Sequence, residues 1–169
     1  MDSLPVTVAV GYKGKATGIA GNAGLTTDLL DVFSCALTGS GKQAYVGPGL
    51  VVPVSGTTTL NLLSGLTNPL GEAIAAFGHV YAVIIEHDPA SLATAGITVF
   101  GGGSDDFQGP FDAGNFATLT PGQGLAFLVN AAMTPWVVDG THKNIAIVNL
   151  DATALHTATV NVAIFGTTA

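Results

Sequence analysis

Residues 78–87 read GHVYAVIIEH, and most of this stretch favours an extended backbone. It contains no proline, and no glycine follows Gly78. Its β-branched and aromatic interior residues are Val80, Tyr81, Val83, Ile84 and Ile85. A short apolar run bounded by turn residues is typical of a strand that is buried on both faces, or nearly so. We therefore predict that 78–87 is the central strand of a sheet and that neighbouring segments pair with it.

Shorter segments on both sides of this stretch also have the pattern of strands. The clearest is 158–165, in which Val160, Val162 and Ile164 alternate with more polar or smaller residues. The other predicted strands are 4–10, 42–46, 50–54, 57–62, 97–100, 115–119, 125–129, 136–138 and 145–148. Turn residues separate them, with a turn predicted at 47–49, a two-residue hairpin turn at Ser55-Gly56 and a tight turn at 121–124.

This succession of short strands indicates the fold class. At least nine strands recur at spacings of about ten residues, and no long helical pattern follows residue 40. The chain is therefore predicted to be all-β, as a β-sandwich. The jelly roll is the commonest version with eight strands. The order of the strands cannot be read from the alternation.

The first part of the chain has a different composition, and we predict an extended N-terminal arm or loop segment over residues 1–24. Residues 11–24 are rich in glycine and alanine and are predicted to form a loop or an extended arm. Residues 25–37, LTTDLLDVFSCAL, fit either a helix with one apolar face or a strand with a bulge. Both alternatives stay open, and residues 25–169 are predicted to form a single β-sandwich domain.

The composition excludes several classes of partner. Hydrophobic residues make up 48% of the chain and charged residues only 9%, against about 25% charged in ordinary domains. No apolar run approaches the roughly 18 residues of a spanning helix, so we infer that apolar surface is buried between subunits.

Four lysines, no arginine and a net charge of −7 argue against nucleic-acid binding. The N-terminus has no signal-peptide pattern, which indicates assembly in a cytoplasm.

No residue pattern indicates a catalytic, cofactor-binding or metal site, and we predict that the protein is not an enzyme. The four histidines have no recognisable metal spacing; they are His79, His87, His142 and His156. Cys35 is the one cysteine, which excludes an intrachain disulfide. Its apolar neighbours favour a buried thiol over a nucleophile. No nucleophile elbow, P-loop or HExxH motif occurs.

Two features have a second interpretation. Asp105, Asp106 and Asp112 lie in one glycine-rich loop, and three carboxylates could hold calcium together with backbone carbonyls. Their spacing does not match an EF-hand, so a solvated loop is favoured and calcium is left open. Trp136 is the only tryptophan. It is predicted to be a core or interface anchor rather than a platform for a sugar.

The run from 37 to 165 carries a succession of segments that is more specific than any one of them. The segments are LTGSGKQAY at 37–45, VVPVSGTTTLNLLSGLTNPLGEAIAAF at 51–77, GHVYAVIIEH at 78–87, ITVFGGGSDDF at 97–107, LTPGQGLAFLV at 119–129 and WVVDGTHKNIAIVNLDATALHTATVNVAIFGT at 136–167. In this order they resemble a loose family of small β-rich structural proteins of tailed phages and prophages.

The resemblance implies a virion structural protein, a decoration or cement protein on the capsid exterior. It also implies a jelly roll that assembles as a homotrimer and binds the major capsid protein of the same virion. We expect the arm at 1–24 to reach over a neighbour, and no nucleic acid or membrane as partner. The alternatives are a receptor- or glycan-binding head of a phage tail or fibre, and a lectin-type jelly roll. The decoration protein is favoured because no convergent polar cluster indicates a ligand pocket.

Overall fold

The structure is a computed structural model that describes residues 6–17, 26–37, 41–67, 71–101, 105–111, 116–129 and 134–169. The described residues form β-strands and no helix, which confirms the all-β prediction. Consequently no helix among them could cross a membrane. The strands are β1 (Val6–Thr17), β2 (Thr26–Leu37), β3 (Lys42–Val52), β4 (Thr57–Asn61), β5 (Phe77–His87), β6 (Ile97–Phe100), β7 (Phe116–Leu119), β8 (Gly124–Leu128), β9 (Trp136–Val137), β10 (Asn144–Asn149) and β11 (Ala158–Thr168).

Nine of these strands form two antiparallel sheets. The five-stranded sheet has the order β3-β11-β5-β8, and the short β9 also pairs with β5. The four-stranded sheet has the order β4-β10-β6-β7. The strand predicted from 78–87 is β5, and it lies inside its sheet between β11 and β8. Most of the strand is buried, as predicted, and only His79 and Glu86 are exposed.

One hydrophobic cluster contains residues of both sheets. In the five-stranded sheet, Val83 and Ile85 of β5 and Val160 of β11 are fully buried. In the four-stranded sheet, Ile97 of β6 and Ile147 of β10 are fully buried as well. Both sets belong to the same cluster, together with the buried rings of Phe77, Phe107 and Phe111. The strand period of two therefore directs one face of each sheet into a shared core.

The turn predicted at 47–49 is wrong, because β3 continues through it. The register of β3 against β11 shifts at this point, so the extra residues form a bulge. Pro48 has no N–H to donate to the ladder, and Gly49 has a φ of +67°. The N–H of Gly49 donates to the side-chain oxygen of Asn161 at 3.0 Å instead of to a strand carbonyl. This side-chain partner lets the strand continue past a sequence that resembles a turn.

The hairpin predicted around Ser55-Gly56 is also wrong. The turn exists, since the N–H of Gly56 donates to the carbonyl of Pro53 at 3.0 Å. However, β3 pairs with β11 and β4 pairs with β10, so the turn carries the chain from one sheet to the other. The turn residues specify a local reversal, but the pairing partners come from distant parts of the chain.

In the N-terminal region, β1 and β2 pair with each other over an unbroken antiparallel register. Residues 26–37 are therefore a strand rather than a helix. Residues 11–17, predicted to be a loop or an extended arm, are extended and continue β1, because β2 supplies a partner for each of them. Residues 1–5 and 18–25 lie outside the described residues. The boundary predicted at residue 24 falls between these two paired strands.

Candidate functional site

Three exposed leucines lie on two connections that adjoin in space. Leu92 is 59% exposed in the β5–β6 connection, and Leu150 and Leu155 are 45% and 84% exposed in the β10–β11 connection. The N–H of Leu150 donates to the carbonyl of Gly96 at 3.1 Å and so joins the two connections. We call Leu92, Leu150 and Leu155 the leucine tip. Exposed apolar side chains grouped on neighbouring loops are typical of a surface that contacts another molecule.

A buried carboxylate holds these connections together. Asp151 is 3% exposed, and its side chain accepts hydrogen bonds from the N–H of Thr94 (2.9 Å) and the N–H of Thr153 (2.9 Å). Its Oδ2 also lies 3.1 Å from Nδ1 of His156. The hydrogen bonds from Thr153, followed by that from His156, hold the pKa of Asp151 well below its usual range. The carboxylate therefore stays ionised and keeps its donors.

Two further groups complete this network. The side-chain oxygen of Asn149 accepts the N–H of Asp151 at 2.9 Å, and its amide nitrogen donates to the carbonyl of His156 at 2.8 Å. The N–H of Ser55 donates to the carbonyl of Asp151 at 3.0 Å, which adds the β3–β4 turn. Asn149 is 1% exposed. Three connections are thus joined by buried hydrogen bonds, and this arrangement restrains the leucine tip.

Leu155 has an unusual backbone conformation. Its φ is +72°, a left-handed value that costs a non-glycine residue about 1 kcal/mol. The chain around it is held by the N–H of His156, which donates to Thr153 (3.1 Å), and the N–H of Thr157, which donates to Leu155 (3.0 Å). Burial does not compensate for the strain, since the side chain is the most exposed of the large hydrophobic residues described. Strain at an exposed apolar residue indicates a contact site.

The structure places the four histidines in different environments. His79 is exposed on β5, and His87 is fully buried with its Nδ1–H donating to the carbonyl of Leu119 at 3.1 Å. No partner is found for Nε2 of His87 within the described part of the chain. His142 contacts Asp139 in an exposed turn at 2.9 Å, and His156 contacts Asp151. No group of three metal-ligating side chains occurs among the described residues.

The aspartates considered for calcium are only partly described. The carboxylate of Asp105 forms an ion pair with Nζ of Lys143 at 2.9 Å. Oδ1 of Asp106 is buried, and no hydrogen-bond partner for it lies in the described ranges. Asp112 lies outside the described residues. The structure therefore describes two of the three aspartates, and calcium binding by this loop stays a hypothesis.

Trp136 lies on β9 and is partly buried against the core. Its ring meets that of Phe107 edge to face, with centroids 6.2 Å apart. This contact agrees with the predicted anchor and leaves less of the ring for stacking on a sugar. Cys35 lies on β2 opposite Val8 in the register, and its side chain is outside what the structure describes.

Sequence reasoning missed the leucine tip and the Asp151 network. Asn149 ends β10, and Asp151 and Thr153 follow it at every second position; such residues commonly bond to backbone N–H groups two residues on. This local signal could have predicted the turns within 149–153. It could not have predicted the bond to Thr94, which comes from another connection. Nothing in the local sequence indicates the backbone conformation of Leu155.

Comparisons with protein-family models, with curated proteins and with solved structures found no match to this chain. A function is therefore inferred from the geometry above and from the resemblance of the strand segments.

Proposed function

We propose that the protein is a non-enzymatic virion structural protein, a decoration protein that stabilises a phage head from the capsid exterior. The structural observation that supports the proposal is the order in which strands pair. If β1, β2 and β9 are set aside, eight strands remain. The first pairs with the last (β3 with β11), the second with the seventh (β4 with β10), the third with the sixth (β5 with β8) and the fourth with the fifth (β6 with β7).

This nested pairing supports a jelly roll, because a long antiparallel hairpin rolled into two sheets has the same pairing. The shared hydrophobic cluster supports the packing of the two sheets as a sandwich. Viral capsid domains and lectins both use this architecture, so the fold is compatible with the proposed function and with its alternatives. The resemblance of the segments between 37 and 165 favours the virion.

The leucine tip is the surface that we propose for contact with the major capsid protein. It is apolar and exposed, and the Asp151 network restrains it before any partner binds. A surface ordered in advance loses less conformational entropy on binding. Attachment through apolar contacts also suits a chain with few charges and a net charge of −7.

The location is tested with a gold-labelled antibody against this protein on intact virions of the source phage, viewed by electron microscopy. We expect label spread over the head. Label confined to the tail or its fibres would contradict the proposal and favour a receptor-binding head. Absence of label from every particle would remove the virion function, and glycan arrays with a Trp136→Ala variant would then test the lectin alternative.

The contact surface is tested by sedimenting purified protein with capsids that lack it. The double variant Leu92→Asp/Leu155→Asp should lose most of its binding, since two apolar contacts are replaced by charges. Val137→Asp is the matched control, because Val137 is 52% exposed on β9 and lies outside the leucine tip. Equal binding by the double variant and the control would show that the capsid contact lies elsewhere.

A further inference from the structure

His87, the last residue of β5, is a fully buried histidine that links the two sheets. Its Nδ1 lies 3.1 Å from the carbonyl oxygen of Leu119, the last residue of β7. Because a carbonyl oxygen can only accept, Nδ1 carries the proton of this hydrogen bond. β5 belongs to the five-stranded sheet and β7 to the four-stranded sheet. The neutral ring therefore joins the two sheets by a side-chain hydrogen bond.

The second ring nitrogen of His87, Nε2, is also buried, and no described residue is its hydrogen-bond partner. When Nδ1 carries the proton, Nε2 is an acceptor, and protonation of the ring would convert it into a second donor with a positive charge. Burial of a charged donor without a partner is costly, because the group loses its hydration and gains nothing in return. The closed arrangement of this end of the molecule therefore suits the neutral ring.

The charged groups described near this end of β5 have other partners or face away from the ring. Glu86 is exposed, and its carboxylate accepts a hydrogen bond from β11. The carboxylate of Asp88 accepts a backbone N–H of the β5–β6 connection at 2.7 Å. Asp151 and His156 of the β10–β11 connection bond to each other. The sequences of β6, β7, β8, β11 and the β7–β8 turn contain no titratable side chain. A protonated ring would consequently meet no counter-ion among these groups.

The hydrogen bond of His87 also supports the leucine tip. The carbonyl oxygen of Leu119 lies so close to Gly96 that a Cβ added there would be 2.8 Å from it. The carbonyl of Gly96 in turn accepts the N–H of Leu150, a residue of the tip, at 3.1 Å. The backbone of His87 is bonded to the β7–β8 turn as well, since its carbonyl accepts the N–H of Gly122 at 2.8 Å. Displacement of the ring would therefore disturb the segments that hold the tip.

We propose that His87 makes this end of the molecule acid-sensitive and thereby controls the leucine tip. At neutral pH the buried ring keeps β5, β7 and the tip together. Protonation drives the ring out of the core, which breaks its bond to Leu119 and loosens the support of Leu150. The consequence for attachment rests on the function proposed above, because the leucine tip is the proposed capsid contact. The protein binds capsids at neutral pH and leaves them in acid.

The direction of the pH effect depends on which state of the chain can take up the proton. In an unfolded chain a histidine takes up a proton near pH 6.5. In the closed state the same proton would have to enter the core. The stability that the buried ring contributes is therefore complete above about pH 6.5 and is lost as the pH falls below it. One proton raises the ratio of unfolded to folded chain by at most about tenfold per pH unit.

Urea denaturation of the full chain at pH 7.5 and pH 5.0 tests this effect. His87→Asn keeps a side-chain N–H donor but does not titrate. His79→Asn is the matched control, because His79 is exposed on the same strand. Between the two pH values, the unfolding equilibrium constant should rise at least about tenfold more in the wild type and in His79→Asn than in His87→Asn. Equal rises in the wild type and in His87→Asn would overturn the proposal.

A measurement on the wild type needs no variant that might fail to fold. Nitrogen NMR of the imidazole rings reports which ring nitrogens carry a proton. In the folded protein at pH 5.5 we expect a proton on Nδ1 of His87 and none on Nε2. A folded chain whose His87 ring carries both protons at this pH would contradict an acid-sensitive ring.

Sedimentation with capsids that lack the protein tests the consequence for attachment. The wild type should bind at pH 7.5 and lose most of its binding at pH 5.0, whereas His87→Asn should keep its binding at both pH values. Equal losses in the two proteins would show that His87 does not control the tip. A wild type that does not bind even at pH 7.5 would count against the capsid function, and the denaturation and NMR results would still decide the acid sensitivity.

Discussion

At the scale of single residues, Asp151 forms hydrogen bonds with three connections of the fold. Its carboxylate joins the β5–β6 and β10–β11 connections, and its carbonyl accepts the N–H of Ser55 from the β3–β4 turn. Asp139 has similar partners, His142 and Thr141, but all of them lie within its own turn. Asp151 therefore joins distant segments of the chain, whereas Asp139 bonds only within its own turn.

The stability of the protein should depend on pH through Asp151. Its pKa is lower in the folded protein than in the unfolded chain, so its contribution is complete above the unfolded value of about 3.9. The contribution is lost as the pH falls below that value towards the folded pKa. We expect Asp151→Asn to lower the melting temperature by several degrees at pH 7 and to make its fall below about pH 4 shallower.

Calorimetry between pH 7 and pH 3 measures this effect. Asp139→Asn is the matched control. Hydrogen bonds from His142 and Thr141 also lower the pKa of Asp139, but they lie in an exposed turn where solvent screens them, so this variant should lower the melting temperature less than Asp151→Asn. Equal losses in the two variants would contradict a special role for the Asp151 network.

The strain at Leu155 gives a second prediction. Asparagine adopts left-handed φ values more easily than leucine, so Leu155→Asn should raise the free energy of unfolding by up to about 1 kcal/mol. Chemical denaturation measures the change. Leu92→Asn, at an exposed leucine with no positive φ, should give no such gain. A clear loss of stability in Leu155→Asn would mean that the leucine side chain stabilises the isolated fold.

At the scale of elements, the packing of β11 against β5 depends on a close contact at Gly166. At Gly166 the register against β5 shifts, and an added Cβ would meet the carbonyl oxygen of His79 and the ring of Phe77. Neither group moves easily, because the carbonyl belongs to the neighbouring strand and Phe77 is fully buried. Only glycine fits this position between the two central strands.

We expect Gly166→Ala to lower the free energy of unfolding by about 1–3 kcal/mol through overpacking. Gly140→Ala is the control, because a Cβ at Gly140 would meet nothing within 4 Å. Its effect should stay within about 0.5 kcal/mol. Urea denaturation compares the two variants, and a stable Gly166→Ala protein would mean that the strands separate more easily than this packing suggests.

At the scale of the whole molecule, the small number of charged residues determines how self-association should depend on salt. The chain has four lysines against eleven acidic residues, so copies repel each other weakly at low salt. The composition indicates that apolar surface is buried between subunits, and salt does not weaken apolar contacts. Assembly should therefore depend on ionic strength only through this repulsion.

Self-association of the full chain should consequently stay equal or become tighter as sodium chloride is raised from low concentration to about 1 M, where the Debye length is about 3 Å. Sedimentation equilibrium at several salt concentrations measures this. Dissociation at high salt would indicate that ion pairs, and not apolar contacts, hold the copies together.

The sequence by itself determined the class of the fold and most of its strands. Alternation with a period of two is a local property, so 158–165 and 78–87 could be recognised without any partner, and both lie within strands. The tight turn at 121–124 was recognised for the same reason, since proline and glycine specify their own backbone angles. Its Gly122 has the positive φ that such a turn requires.

Only the tertiary structure decided which strands pair and which polar groups meet. β3 pairs with β11 rather than with β4, and Thr94 meets Asp151, because burial and hydrogen bonding are satisfied between segments that are far apart in the chain. The ambiguous segment 26–37 became a strand because β1 offered a partner for each of its residues. Local patterns carry the backbone preference of each segment, but they carry no information about the partner that makes the preference stable.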